Sequence, residues 1–141
     1  GGSGAIPPDL IPEEAGPWLE AALTEDLDPI FLVAPSSSDE RIAVVGRTNR
    51  GFVYAASTMG VTGTRATVGN RAEELVGRTR QQTALPVCVG LGVSNGEQAA
   101  EVAAYADGVI VGSAFVRALQ DGGADAVRAL ARDLAVGVRR G

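Results

Sequence analysis

The chain has 141 residues, 45% apolar and 21% charged, enough for one domain with a real core, and no run of 18 or more apolar residues that would span a bilayer. A net charge of -5 and a pI near 4.7 lack the basic face that nucleic-acid phosphates require. With one Cys, no His and Arg at all 12 cationic positions, the composition excludes an intrachain disulfide, an imidazole or thiolate metal site and lysine Schiff-base chemistry, and it suits a reducing cytoplasm.

Gly4 to Pro8 forms the first apolar run, weakened as a strand by its prolines. Pro12-Glu13-Glu14 opens a predicted helix through about Thr24, since Pro and acidic residues favour a first turn. Pro29 to Ala34 is continuous and apolar, as a buried parallel strand should be. One of Ser36, Ser37 and Ser38 then caps a helix reaching about Gly46. Gly51 to Ala56 is the third strand, followed by a polar loop from Ser57 to Gly69 and a helix from about Asn70 to Gln82. Pro86 to Gly90 is the fourth strand, with Ser94 as the predicted cap of a helix from Glu97 to Tyr105. Gly108 to Val111 is the fifth, turning at Gly112-Ser113 into a short helix, Ala114 to about Leu119. A last amphipathic helix runs from about Ala124 to Arg139, with Ala126, Leu130, Leu134 and Val138 on one face.

No linker, charge block or low-complexity tract interrupts this order, so residues 1–141 read as a single α/β domain of about five βα units with parallel strands. An open doubly wound sheet and part of a TIM (β/α)8 barrel both fit that count. The chain starts at Gly1 rather than Met, just before a predicted strand, and reads as a piece of something longer. Glycines mark the ends of the last three strands: Gly60 and Gly63, Gly90 and Gly92, then Gly112. Glycine lets backbone approach a ligand closely, and a helix N-terminus offers free N–H donors to an anion. Gly112-Ser113 opens its helix directly, which favours a phosphate site over plain turn glycines.

These motifs carry a resemblance. Phe52-Val53-Tyr54, Gly60-Val61-Thr62-Gly63, Val89-Gly90-Leu91-Gly92-Val93-Ser94 and Asp107 to Ala114 together resemble the alpha-subunit family of tryptophan synthase. Pro8-Asp9-Leu10 with Glu13-Glu14, and Phe31 to Pro35, fit the same family in the same order. The resemblance implies the C-terminal part of a TIM barrel, strand four through strand eight. It also implies a lyase of tryptophan biosynthesis that cleaves indole-3-glycerol phosphate to indole and glyceraldehyde 3-phosphate. Gly63, Gly92, Gly112 and Ser113 then match phosphate-binding positions, and Tyr54, Ile6 and Leu91 match the substrate pocket. Thr62 falls in the loop that closes over substrate, and Asp9 takes a loop-ordering role. The implied partner is a pyridoxal-phosphate-dependent beta subunit in a heterotetramer; this chain holds no cofactor itself.

Each residue also has a plainer reading. Tyr54 and Ile6 are ordinary core side chains, Thr62 a turn hydroxyl, Asp9 a solvated cap and Cys88 a small buried strand residue. A retro-aldol cleavage needs an acid and a base. The family takes both from upstream of the stretch that matches Gly1, and Asp9, Glu13, Glu14 and Asp107 match neither role. The implied activity therefore belongs to a parent chain, and 1–141 alone is expected to be inactive. Another phosphate-binding barrel enzyme (an isomerase, epimerase or synthase) and a noncatalytic phosphate-binding module are the competing functions.

Overall fold

The computed structural model describes residues 1–57, 65–90 and 92–141, with the side chains of 65–70 excepted. Strand β1 (Gly4–Ala5) pairs in parallel with β2 (Asp28–Pro29), and β3 (Leu32–Val33) pairs in parallel with β4 (Val53–Ala56). From β4 the sheet continues to β5 (Val87–Gly90) and β6 (Gly108–Ile110), again in parallel. β2 and β3 are the two halves of the second apolar run: the first half bonds back to β1 and the second forward to β4.

The break between them has a visible cause. Asn49, buried at the end of the following helix, accepts the Phe31 N–H at 2.9 Å and donates to the Phe31 carbonyl at 3.0 Å. A side-chain amide thus replaces a neighbouring strand at that one residue, and it also donates to the Phe52 carbonyl at 3.1 Å.

Strand order in space follows chain order, with every neighbour parallel. A doubly wound sheet reverses direction at a switch point, and no such reversal occurs among the described strands. Helix α1 (Gly16–Thr24), α2 (Asp39–Thr48), α3 (Arg65–Gln82) and α4 (Gly96–Ala103) provide the crossovers, and α5 (Ser113–Val138) follows β6. Right-handed crossovers that always step the same way stack their helices on one face. The result is a partial TIM barrel, as the resemblance implied.

The two faces of the sheet differ in burial. Val33, Ala55 and Val89 share one row, and Val53 and Val87 another; all five are buried under the helices with Ile42, Leu75 and Val76. Trp18 of α1 meets Phe31 edge-on, with ring centroids 5.6 Å apart and planes at 73°, a favourable aromatic geometry. The alternate row, Leu32, Tyr54, Cys88 and Gly108, is only half-buried. That row is the barrel's interior side. Cys88, expected to be buried, sits there half-exposed.

Several element ends depart from the sequence reading. Pro12–Glu14 is a separate 3-10 turn, and α1 starts only at Gly16; Pro17 has no N–H to bond the Glu13 carbonyl, so it cannot continue the first turn but fits the first turn of a new helix. Of the three serines, Ser38 caps α2, its Oγ accepting the Arg41 N–H at 3.2 Å. α3 begins at Arg65, five residues before the expected Asn70. α4 is capped by Asn95 rather than Ser94. The side chain of Asn95 accepts the Gln98 N–H at 2.9 Å, while the Ser94 N–H is satisfied by Gln98 Oε1 at 2.8 Å. α5 is bent at Gly123, whose φ of 67° and ψ of -159° are non-helical, close to where the sequence separated two helices.

Candidate functional site

The interior side carries two of the residues expected to form a pocket, Tyr54 and Ile6. Tyr54 pairs with Cys88 across β4 and β5, and Gly90 lies two residues further along β5. A Cβ placed on Gly90 would stand 2.5 Å from the Tyr54 hydroxyl oxygen and 2.9 Å from its ring carbons. Tyr54 therefore leans along the sheet towards the strand ends, and it does so because position 90 has no side chain. Gly108 serves Cys88 in the same way: its Cβ would meet the sulfur at 2.7 Å. Burial, with Asp107 nearby, pushes the Cys88 thiol above its ordinary range, so it stays protonated and unreactive at neutral pH.

Ile6 lies on the same side. It borders a hollow of about 390 Å³ with Gly4, Ile30, Phe52 and Asp28, since Gly4 and Asp28 are register partners and alternate residues face one way. Ile6 is 42% exposed on that side. Asp28 is the carboxylate on this face among the described strand residues, and Arg50 holds it at 3.2 Å. It sits at the N-terminal end of its strand, beside Gly4 and Gly51 rather than at the glycines that end β5 and β6.

At the other end, Gly92 and Gly112 each lie two residues beyond the paired Gly90 and Ile110. Gly92 has φ of 81°, where a side chain is strained. Gly112 is the residue before α5, and its carbonyl accepts the Phe115 and Val116 N–H groups at 3.0 and 3.2 Å. Among the described residues no side chain accepts from the first amides of α5, which open beside the exposed Ser113.

α4 differs. Besides the Asn95 cap, the Gly96 N–H donates to Asp133 Oδ2 at 2.7 Å. The carboxylate of α5 thus already occupies the anion position at the N-terminus of α4. Of the two adjacent helix starts, α5 alone remains open to an external anion. Sequence reasoning did not find Asp133, because nothing in its own helix signals a contact 37 residues away.

Asp9 is exposed in the turn after β1, where the Leu10 N–H donates to the Pro7 carbonyl. Thr62, Gly63 and Leu91 lie outside the described residues. Just before the first two, Ser57 is buried and its N–H donates to the Gly90 carbonyl at 3.0 Å. A cavity of about 680 Å³ opens between Ala34-Pro35-Ser36, Ala56-Ser57 and the α3 side chains Arg71 and Arg78. Among the described residues, no cluster of three His, Cys, Asp or Glu could hold a metal, and no helix is long and apolar enough to cross a membrane.

The sequence model of the family described as Tryptophan synthase alpha chain matches residues 1–139. The tryptophan synthase alpha chain of Mycobacterium intracellulare is 62% identical over 140 residues, covering 99% of this chain and 52% of that protein. That of Acidothermus cellulolyticus is 64% identical over 143 residues, covering 99% and 54%. The chain spans about half the length of these curated relatives. Among solved structures, tryptophan synthase of Mycobacterium tuberculosis superposes with a TM-score of 0.86 at 58% identity, over 98% of this chain and 52% of that one. Tryptophan synthase subunit alpha from Campylobacter jejuni keeps a TM-score of 0.84 at 27% identity, over 94% and 53%. Sequential parallel strands, glycine-ended on the side where α5 opens, and a match that runs almost end to end have one reading: the chain belongs to the tryptophan synthase alpha chain family.

Proposed function

We propose that this segment supplies the phosphate grip and part of the indole pocket of a lyase that cleaves indole-3-glycerol phosphate to indole and glyceraldehyde 3-phosphate. The observation that carries the reading is the open start of α5 at Gly112, while the neighbouring start of α4 is filled by Asp133. The phosphate is held by backbone amides at Gly63, Gly92, Gly112 and Ser113, with the Ser113 hydroxyl and the helix dipole adding to the attraction. Tyr54, Ile6 and Leu91 face the indole, Thr62 belongs to the closing segment, and Asp9 orders the turn after β1.

In the cleavage an acid protonates the indole carbon, a base removes the side-chain hydroxyl proton, and the carbon–carbon bond breaks to leave the aldehyde. Asp28 is tied to Arg50 at the far end of the barrel and supplies neither role. The isolated segment is therefore inactive, and an alpha chain of full family length is the lyase. Its partner is a cytoplasmic beta subunit that carries pyridoxal phosphate, a cofactor for which this chain has no lysine.

Two measurements test this. Purified 1–141 should show no turnover of indole-3-glycerol phosphate, since an absent acid or base each costs a factor of about 10² to 10⁴; activity near that of a full-length alpha chain overturns the assignment. In a full-length alpha chain carrying these residues, Gly112→Val should raise KM strongly with the fold intact. No described atom lies within 4 Å of a Cβ at Gly112, so lost affinity reports a blocked ligand. Unchanged glycerol phosphate binding by that variant makes the glycines turn formers only.

A further inference from the structure

We propose that Gln98 is a positioning residue for the phosphate grip: it folds back over the start of α4 and holds the turn after β5, so that the backbone amide of Gly92 stays aimed at the anion. The inference rests on the function proposed above, in which Gly92 is one of the phosphate-binding positions.

The side chain of Gln98 acts on the turn two residues from Gly92. Its Oε1 accepts the Ser94 N–H at 2.8 Å and the Ser94 hydroxyl at 3.1 Å. In return, the Gln98 N–H donates to Asn95 Oδ1 at 2.9 Å, and the Ala99 N–H donates to the Asn95 carbonyl at 3.0 Å. Helix and turn thus hold each other reciprocally, an arrangement that fixes how a chain enters a helix. α4 does not need the glutamine oxygen in order to start, since Asn95 caps it and Asp133 Oδ2 accepts the Gly96 N–H at 2.7 Å. Both bonds to Oε1 come from Ser94, which lies outside the helix.

Gly92 needs such help. It is exposed, and a Cβ there would meet no described atom within 4 Å, so packing does not fix its peptide. Its φ of 81° is a conformation that glycine enters and leaves freely. Control therefore comes along the chain. Gly96, at the foot of the turn, is wedged against α5: a Cβ there would run into the Asp133 backbone, and one on Gly137 into the Gly96 carbonyl. Val93 is 3% exposed and anchors its side chain in the core. An anchored side chain still lets the next peptide plane pivot. The Ser94 N–H belongs to that plane, and its bond to Gln98 stops the pivot. A grip whose amides are oriented before the ligand arrives binds it more tightly.

The test uses a full-length alpha chain carrying these residues. Gln98→Ala removes the acceptor and puts the best helix former inside α4. It should raise KM for indole-3-glycerol phosphate about fivefold with kcat within about twofold, in the range for residues that act without touching ligand. Affinity for inorganic phosphate should fall by a similar factor, while affinity for indole, which has no phosphate, should not change. Gln98→Glu keeps the acceptor. At about 1 M salt, where a Debye length of about 3 Å screens its added charge, it should bind phosphate as the unmodified protein does. Gln82→Ala, the same change at an exposed glutamine ending α3, is the control and should change nothing. If Gln98→Ala does not fold, Gln98→Met keeps the stem, loses the acceptor and takes its place in each comparison. Unchanged phosphate affinity in the folded variant, an equal loss for indole, or no recovery by Gln98→Glu overturns the proposal. Gly112→Val separates this from failure of the site itself: if it weakens phosphate binding and Gln98→Ala does not, the grip stands and the role of Gln98 falls. If the unmodified protein binds phosphate without lyase turnover, the reaction is wrong, and the phosphate titration still decides for or against Gln98. An unmodified protein that binds no phosphate has no grip, and the inference falls with it.

Discussion

Tyr54 and Gly90 make one unit, because the ring of one fills the volume that a side chain on the other would need. Gly90→Ala should destabilise the chain by about 1–3 kcal/mol, the usual cost of overpacking. Tyr54→Phe removes the nearest atom, so the double variant should recover part of that loss, with a coupling of at least about 0.5 kcal/mol by urea unfolding. Strict additivity would mean that the ring simply swings aside. Gly92 and Gly112 answer to different causes despite similar positions. Gly92 needs its positive φ, so substitution there strains the backbone with or without ligand. Gly112 has open space, which makes it the cleaner probe of the site. Losing the Ser113 hydroxyl should weaken phosphate binding by roughly 1.5–3 kcal/mol, as for other hydrogen bonds to charged groups. Calorimetric titration of Ser113→Ala with glycerol phosphate checks this, and an unchanged affinity removes the hydroxyl from the grip.

Among the elements, those whose signal is local were legible. The apolar runs at Val53–Ala56 and Val87–Gly90, the serine cap of α2 and the glycine break in α5 all appear where short-range pattern put them. Some errors came where a distant partner decides, others within a single turn. The second strand is split because Asn49, a residue of the next helix's end, inserts its amide at Phe31. Asn49→Leu should therefore cost about 1–3 kcal/mol beyond any packing change, since it orphans buried backbone groups; a chain that unfolds at the same denaturant midpoint would show that water replaces the amide. Asn95 displaced Ser94 as the cap because Gln98 folds back to serve the serine's N–H. Of the site, the glycine spacing was visible in sequence. Asp133 filling one helix start was not, because it reaches across more than 35 residues.

At the scale of the molecule, the N-terminal end of the barrel is tied by charge. Asp107 accepts the Val87 N–H at 2.9 Å, and Arg80 lies 3.2 Å from the same oxygen while donating to the Tyr105 carbonyl. The Val87 amide, with Arg80 beside it, holds the Asp107 carboxyl below its ordinary range against a smaller opposing effect of burial. A lowered folded-state pKa means stabilisation that is present above the unfolded value, near 3.9, and lost as pH falls through the folded one. Asp107→Asn should flatten the acid limb of a stability–pH curve and leave its neutral-to-basic shape alone; an unchanged acid limb would assign the acid sensitivity elsewhere.

The sheet faces differ, and the last expectation follows from them. Leu32, Tyr54, Cys88 and Ile110 stay half-exposed on the interior side, and β6 has no strand beyond it among those described. On α5, Val116 and Leu119 are each 57% exposed. An unpaired edge next to apolar surface is a template for association. The isolated 141-residue chain should therefore self-associate at micromolar concentration, and Ile110→Lys on the edge strand should shift sedimentation towards monomer. A monomeric profile for the unmodified chain, with sharp cooperative unfolding, would mean that these strands and their helices close their own core without a partner surface.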